Sequence, residues 1–227
     1  MKVPVSVPDN LNEITLEQFQ EFLTIEEPTE KDVLRVFLGL SKNIIDKVPR
    51  KQVTSVSGQI MKMVQESKPK FINKFEYNGK KWGFIPNLDE MSSGEYDDAT
   101  GYFPRSEEVD EKIVYHYEDA HRCMAVLFRP ITLEKKGKYL IEEYEGSDKY
   151  AEELKGMPLS VVLGSMVFFY DLLNELLIAI PSFIQREMEK DHGSLTNGGN
   201  TTDTIRFARV TLEELKRLQR YPYTLAS

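Results

Sequence analysis

FEYNGKKWGFIP, residues 75–86, places four aromatic side chains around an Asn-Gly pair. A two-residue type I′ turn needs positive φ at both central positions, which Asn-Gly tolerates better than other pairs. With Asn78-Gly79 as the loop, Tyr77 faces Lys80, Phe75 faces Trp82 and Asn73 faces Phe84. Side chains alternate along a strand, so Phe75, Trp82 and Phe84 share one face. The Phe75–Trp82 cross-strand pair is worth roughly 0.2–1 kcal/mol. That face is expected to pack the core; an exposed Trp82 would instead make it a partner surface.

Working outward from the hairpin, Thr15 and Gln18 have capping-box spacing, with Ile14 and Phe19 placed as a hydrophobic staple. Thr29 and Asp32 open a second helix whose apolar face is Val33, Val36, Phe37 and Leu40. Ile44, Ile45 and Val48 form a short turn before Pro49, and Val53, Val56, Ile60, Met63 and Val64 recur at helical spacing. These read as a small helical subdomain, because no basic recognition helix accompanies them. Before them, Val3, Val5 and Val7 alternate between Pro4 and Pro8, the pattern of an edge strand or extended arm.

Beyond the hairpin, Ser106 to Arg129 reads as one long helix with Val109, Ile113, Tyr117, Ala120, Met124 and Phe128 on a face, stopped by Pro130. ITLEKKGKYLIEEY reads as a second hairpin turning at Gly137, and Ser147 is expected to cap a short helix ended by Gly156 and Pro158. A long apolar helix is expected from Ser160 to Glu189 with a kink at Pro181, then a loop over residues 192–203 and a last amphipathic helix with Leu212, Leu215 and Leu218. The expected class is α+β, mainly α: a helical core with one or two antiparallel hairpins. The parts of the expected single domain are 1–70 (helical), 71–104 (hairpin and acidic loop), 105–190 (central hairpin and long helices) and 191–227 (loop and last helix).

Composition narrows the function. The formal charge of −8 repels a phosphate backbone, so general nucleic-acid binding is not expected. Cys123 is the single cysteine, which excludes an internal disulfide. MKVPVSVPDN lacks an apolar run of signal-peptide length. Val161 to Ile180 has the length of a membrane span but carries Asp171, Asn174 and Glu175 on one stripe. A carboxylate at a bilayer centre costs roughly 3 kcal/mol, so a buried core helix is expected instead.

The chain carries no recognisable catalytic or metal-binding motif. His116 and His121, five residues apart on the expected helix, would lie about 140° from each other. No paired-cysteine or HExxH motif supplies zinc ligands, and no nucleophile elbow, P-loop or dinucleotide fingerprint occurs. Cys123 sits among apolar residues and reads as a packed thiol. Asp89, Glu90, Glu95, Asp97 and Asp98 form an acidic cluster, but Ala99 and Gly101 occupy positions that an EF-hand loop counted from Asp97 needs for ligands. A solvated loop or charged partner contact is expected there. No catalytic, cofactor-binding or metal residue is therefore assigned, and no cofactor is expected.

Four stretches in order carry a resemblance: VPDNLNEITLEQFQEFLTI, FEYNGKKWGFIPNLDEMSSGEYDD, MAVLFRPI and YEGSDKYAEELKGMPLSVVLGSMVFFYDLLNELL. Together they resemble a family of tailed-bacteriophage proteins assigned to virion morphogenesis, across roughly residues 5–180. The hairpin with GEY and the LFRPI motif are its more specific parts. This chain has Asp97-Asp98 where the family pattern carries an apolar residue, which argues against a helix that Ser92 and Glu95 could otherwise cap. The resemblance implies a non-enzymatic role through protein–protein contacts: a tail-assembly chaperone-like protein in the host cytoplasm, or a neck, ring or tail subunit of the virion. Its implied partners are other morphogenesis or virion proteins, with homo-oligomerisation possible, and neither nucleic acid nor membrane. Candidate interface residues are Phe75, Tyr77, Trp82 and Phe84 on the hairpin, Val3, Val5 and Val7 on the arm, and Val161, Phe168 and Phe169 on the apolar helix.

Overall fold

The computed structural model describes residues 5–109 and 112–169. The chain divides into two compact units, Met1–Pro104 with Tyr115–Ser165, and Arg105–Val114 with Met166–Ser227. The class is α+β, mainly α.

In the first unit, helices α1 (Leu16–Leu23), α2 (Glu30–Leu38), α3 (Lys42–Ile45) and α4 (Arg50–Glu66) precede strands β1 (Lys74–Tyr77) and β2 (Lys80–Phe84). The expected capping box at Thr15 forms, and the expected cap at Thr29 forms as a capping box too: Thr15 Oγ1 accepts from the Gln18 N–H and Thr29 Oγ1 from the Asp32 N–H. Ile14 and Phe19, the staple pair, are buried. The ring of Phe22 on α1 meets Phe37 on α2 at 5.1 Å. Leu34, Ile45 and Val53 bury a separate small cluster that joins α2, α3 and α4.

Helix α5 (Ser93–Gly101) follows. The capping box of Ser92 and Glu95 starts it, so the cap prevails over the two aspartates within the helix. The second unit contains a two-stranded sheet of β3 (Arg105–Val109) and β4 (Lys112–His116), the last residues of β4 lying in the first unit. Helix α6 spans only Ala120–Leu127 and passes directly into β5 (Phe128–Lys135), which turns into β6 (Lys138–Ile141). Helix α7 (Asp148–Leu154) comes next, with Ser147 at its N-cap position but without the expected side-chain cap bond, because its backbone is already helical there; a further helix, α8, starts at residue 159 and is described to residue 169.

The expected long helix over 106–129 is thus two strands and a short helix. Val109, Ile113 and Tyr117 recur every four residues. That stride satisfies a helical period and a two-residue alternation equally well, and the β-branched run Ile113-Val114 favours strand. At the other end the helix stops at Leu127, because Pro130 disfavours helical φ/ψ at Arg129. The kink at Pro181, the loop over 192–203 and the last helix lie outside the described residues.

The main sheet has the order β1-β2-β5-β6, all antiparallel. Its first hairpin has the expected register, Phe75↔Trp82 and Tyr77↔Lys80, with φ of 51° at Asn78 and 71° at Gly79. One sheet face holds the aromatic core. Phe75 stacks on Trp82 at 6.4 Å, Phe128 meets Phe75 and Phe84 edge-on at 5.3 Å, and Tyr150 of α7 meets Trp82 edge-on at 5.2 Å. The buried Trp82 Nε1–H donates to the Tyr77 carbonyl at 3.1 Å. On the opposite face a Cβ at Gly83 would lie 2.5 Å from the Tyr139 ring, so only glycine admits that close approach. The N-terminal helices are tied in by backbone bonds, Leu16 N–H to the Met157 carbonyl at 3.0 Å and Leu159 N–H to the Ile14 carbonyl at 2.8 Å.

Candidate functional site

The aromatic face of the first hairpin is core rather than interface. Trp82 is 0% exposed and Phe84 is buried with it. Phe75 and Tyr77 are half-buried, Phe75 between Trp82 and Phe128 and Tyr77 with its hydroxyl against Gly156. Val161 is also buried. Trp82, Phe84 and Val161 are already out of water within the fold and have almost no apolar surface left to give a partner. Phe168 and Phe169 are half-buried and meet edge-on at 5.8 Å. The arm does not form a strand over its described part: residues 5–9 are irregular, Val5 exposed and Val7 half-buried, and Val3 lies outside the described residues.

The histidines and the cysteine are dispersed. His116 ends β4 and His121 lies in α6, so they do not share a helix as the sequence suggested. His121 is buried with Nδ1 3.2 Å from Gln20 Nε2, and burial, reinforced by Lys155, lowers its pKa. Cys123 is buried, its Sγ–H directed at the Ala99 carbonyl at 3.6 Å, and burial pushes the thiol pKa up. Among the described residues no group of His, Cys, Asp or Glu is arranged to hold a metal ion. No helix among them is long and apolar enough to cross a membrane; most of the 161–180 segment, with Asp171, Asn174 and Glu175, lies outside them.

The acidic cluster is split between surface and core. Glu90 and Asp97 are exposed. Glu95 is buried, against expectation, because the α5 cap turns it inward onto Arg129 at 2.6 Å. Burial raises the Glu95 pKa, but the Ser92 N–H and hydroxyl at 2.7 and 2.8 Å, together with Arg129, outweigh it and hold the carboxyl below the usual range. The Arg129 guanidinium lies over the Tyr144 ring at 5.5 Å, and the Tyr144 hydroxyl donates to Asp98. Burial, with Asp98 beside it, raises the Tyr144 pKa. Nε and Nη1 of Arg129 are buried without a partner. Position 95 had the sequence signal of a cap, but nothing local shows that its second oxygen meets Arg129.

Exposed apolar surface lies instead on the second hairpin. Leu133 and Leu140 are directly paired across β5 and β6 and are 56% and 59% exposed. Lys136 and Gly137 form the turn with φ of 51° and 79°, and the exposed Lys135 and Lys138 flank it. Among the described residues β6 is an edge strand of the sheet. The register was readable from the turn, since a loop at 136–137 places Leu133 opposite Leu140; their exposure was not, because it is set by what packs on that face. No protein-family model, curated protein or solved structure matches this chain.

Proposed function

We propose that this chain is a non-enzymatic bacteriophage morphogenesis protein, tail-assembly chaperone-like, that acts in the host cytoplasm through contacts with other morphogenesis proteins. The reading rests on the resemblance of its four sequence stretches. The observation that carries it further is how the specific parts of that resemblance are used. Glu95 of GEY meets Arg129 of LFRPI at 2.6 Å, and Arg129 is paired in register with Gly83 of the first hairpin. Segments far apart in the chain thus share one buried joint. Residues spent this way maintain a scaffold, and the work of such a protein falls to its surface. The exposed Leu133–Leu140 pair is surface of the kind that partners cover.

Mass spectrometry of purified particles and of infected-cell lysate tests the proposal. The chain is expected in lysate, cross-linked to other morphogenesis proteins, and depleted from mature virions. Stoichiometric presence in the particle would overturn the chaperone-like role in favour of a neck, ring or tail subunit.

A further inference from the structure

We infer that the β6 edge is a self-complementary interface that joins this chain to a second copy of itself, through antiparallel pairing centred on Leu140. Backbone direction is the first support. The Leu140 carbonyl accepts from Thr132 Oγ1 at 3.4 Å and the Glu142 N–H donates to the Pro130 carbonyl at 3.0 Å, so both residues turn their backbone toward β5. Strand alternation then turns the N–H and C=O groups of Tyr139 and Ile141 outward at the sheet edge. A two-fold axis at Leu140 brings Tyr139 of one copy opposite Ile141 of the other, the arrangement in which two residues exchange both backbone hydrogen bonds.

Charge is the second support, and it selects the occupant. The hairpin tip carries Lys135, Lys136 and Lys138, and the chain leaving β6 carries Glu142, Glu143 and Glu145. The same axis sets Lys138 opposite Glu142 of the second copy and brings the rest of each basic tip toward the other's acidic run. Glu142 and Glu145 share Lys149 within the chain, at 3.1 and 2.9 Å, which leaves the run net negative. Edge lysines ordinarily discourage strand pairing. Here they penalise partners that lack a carboxylate at that position and favour the antiparallel copy. Apolar surface is the third support. Leu140 meets its own counterpart at the axis, with Leu133 of each copy beside it, so the two most exposed leucines of the described surface become covered.

This inference is independent of the morphogenesis role. Sedimentation equilibrium of the full chain is expected to give twice the 26.3 kDa chain mass. A mass of one chain up to about 100 μM would overturn it, since an edge contact of any consequence is populated there. Leu140→Lys is expected to give monomers whose Trp82 fluorescence is unchanged; a full dimer in this variant would place the contact elsewhere and refute the β6 edge. Lys138→Glu and Glu142→Lys should each weaken self-association by about tenfold or more when alone, because each homodimer then opposes like charges twice. Mixing the two variants restores both opposite-charge pairs, so a heterodimer of near wild-type affinity is expected. Failure of the mixture to restore association, with both variants folded, would refute the antiparallel register. If Glu142→Lys disturbs its own contacts with Tyr150 and Lys149, Leu140→Lys alone decides the matter.

Discussion

Replacing Glu95 by glutamine is expected to destabilise the protein more than replacing Arg129 by methionine, although the first change is isosteric. Glutamine at 95 keeps an acceptor for the α5 cap but leaves the Arg129 guanidinium, only 6% exposed, without a counter-charge. Breaking a buried pair from this side costs about 3–5 kcal/mol. Methionine at 129 strands the Glu95 carboxylate, yet that group keeps its bonds from the Ser92 N–H and hydroxyl. Methionine also removes Nε and Nη1, which are buried without partners, and each such group costs about 1–3 kcal/mol. The offset leaves a net cost below about 3 kcal/mol for Arg129→Met. The double variant, with neither charge, should fall within about 1 kcal/mol of the wild type. Urea unfolding followed by the fluorescence of Trp82, the only tryptophan, reads all four proteins. An Arg129→Met cost equal to or above that of Glu95→Gln, or strictly additive single changes, would refute the reasoning. The pH dependence has a defined sign. A carboxyl held below its ordinary 4.5 contributes stability that is complete above that pH and is lost as pH falls through the folded value. Glu95→Gln should therefore flatten the acid limb of the stability curve.

Further measurements test other parts of the fold. Gly83→Ala should cost about 1–3 kcal/mol in urea, because its Cβ falls 2.5 Å from Tyr139 and 2.9 Å from Ile131; a neutral effect would mean that the ring yields freely. His121 is held below its ordinary 6.5, so its contribution is complete above that pH and declines as pH falls through the folded value, where unfolding takes up a proton. His121→Gln should remove this slope below pH 6.5, and an unchanged slope would exclude His121 as its source. Thr15→Ala should cost about 1 kcal/mol through the lost cap of α1, checked by thermal unfolding; a cost near zero would show that the staple alone holds the helix start.

Much of the local architecture was legible in the chain. Asn78-Gly79 sets a register that the structure reproduces residue by residue, because a type I′ turn admits few alternatives. Thr15, Thr29 and Ser92 each start a helix, because a cap is a contact between residues three apart. The strands within 106–129 were not legible, because the four-residue stride there fits two periodicities. That the Trp82 face packs the core was expected from the hairpin, and Trp82 is buried; what covers that face was not legible. Aromatic content singles out Trp82 and Phe84, but whether an aromatic faces solvent depends on what covers its sheet face, and α7 brings Tyr150 onto Trp82 from far along the chain.

What the sequence by itself determined is the set of short-range choices: where helices are capped, where hairpins turn, and which residues share a strand face. These follow from steric and hydrogen-bonding preferences within a few residues. Only the tertiary structure decided that Glu95 is buried on Arg129, that Tyr150 of α7 covers Trp82, and that Leu133 and Leu140 are left exposed on the second hairpin. Burial and ion pairing are properties of what lies opposite in space, and the partners here are separated by tens of residues of chain that no local preference connects.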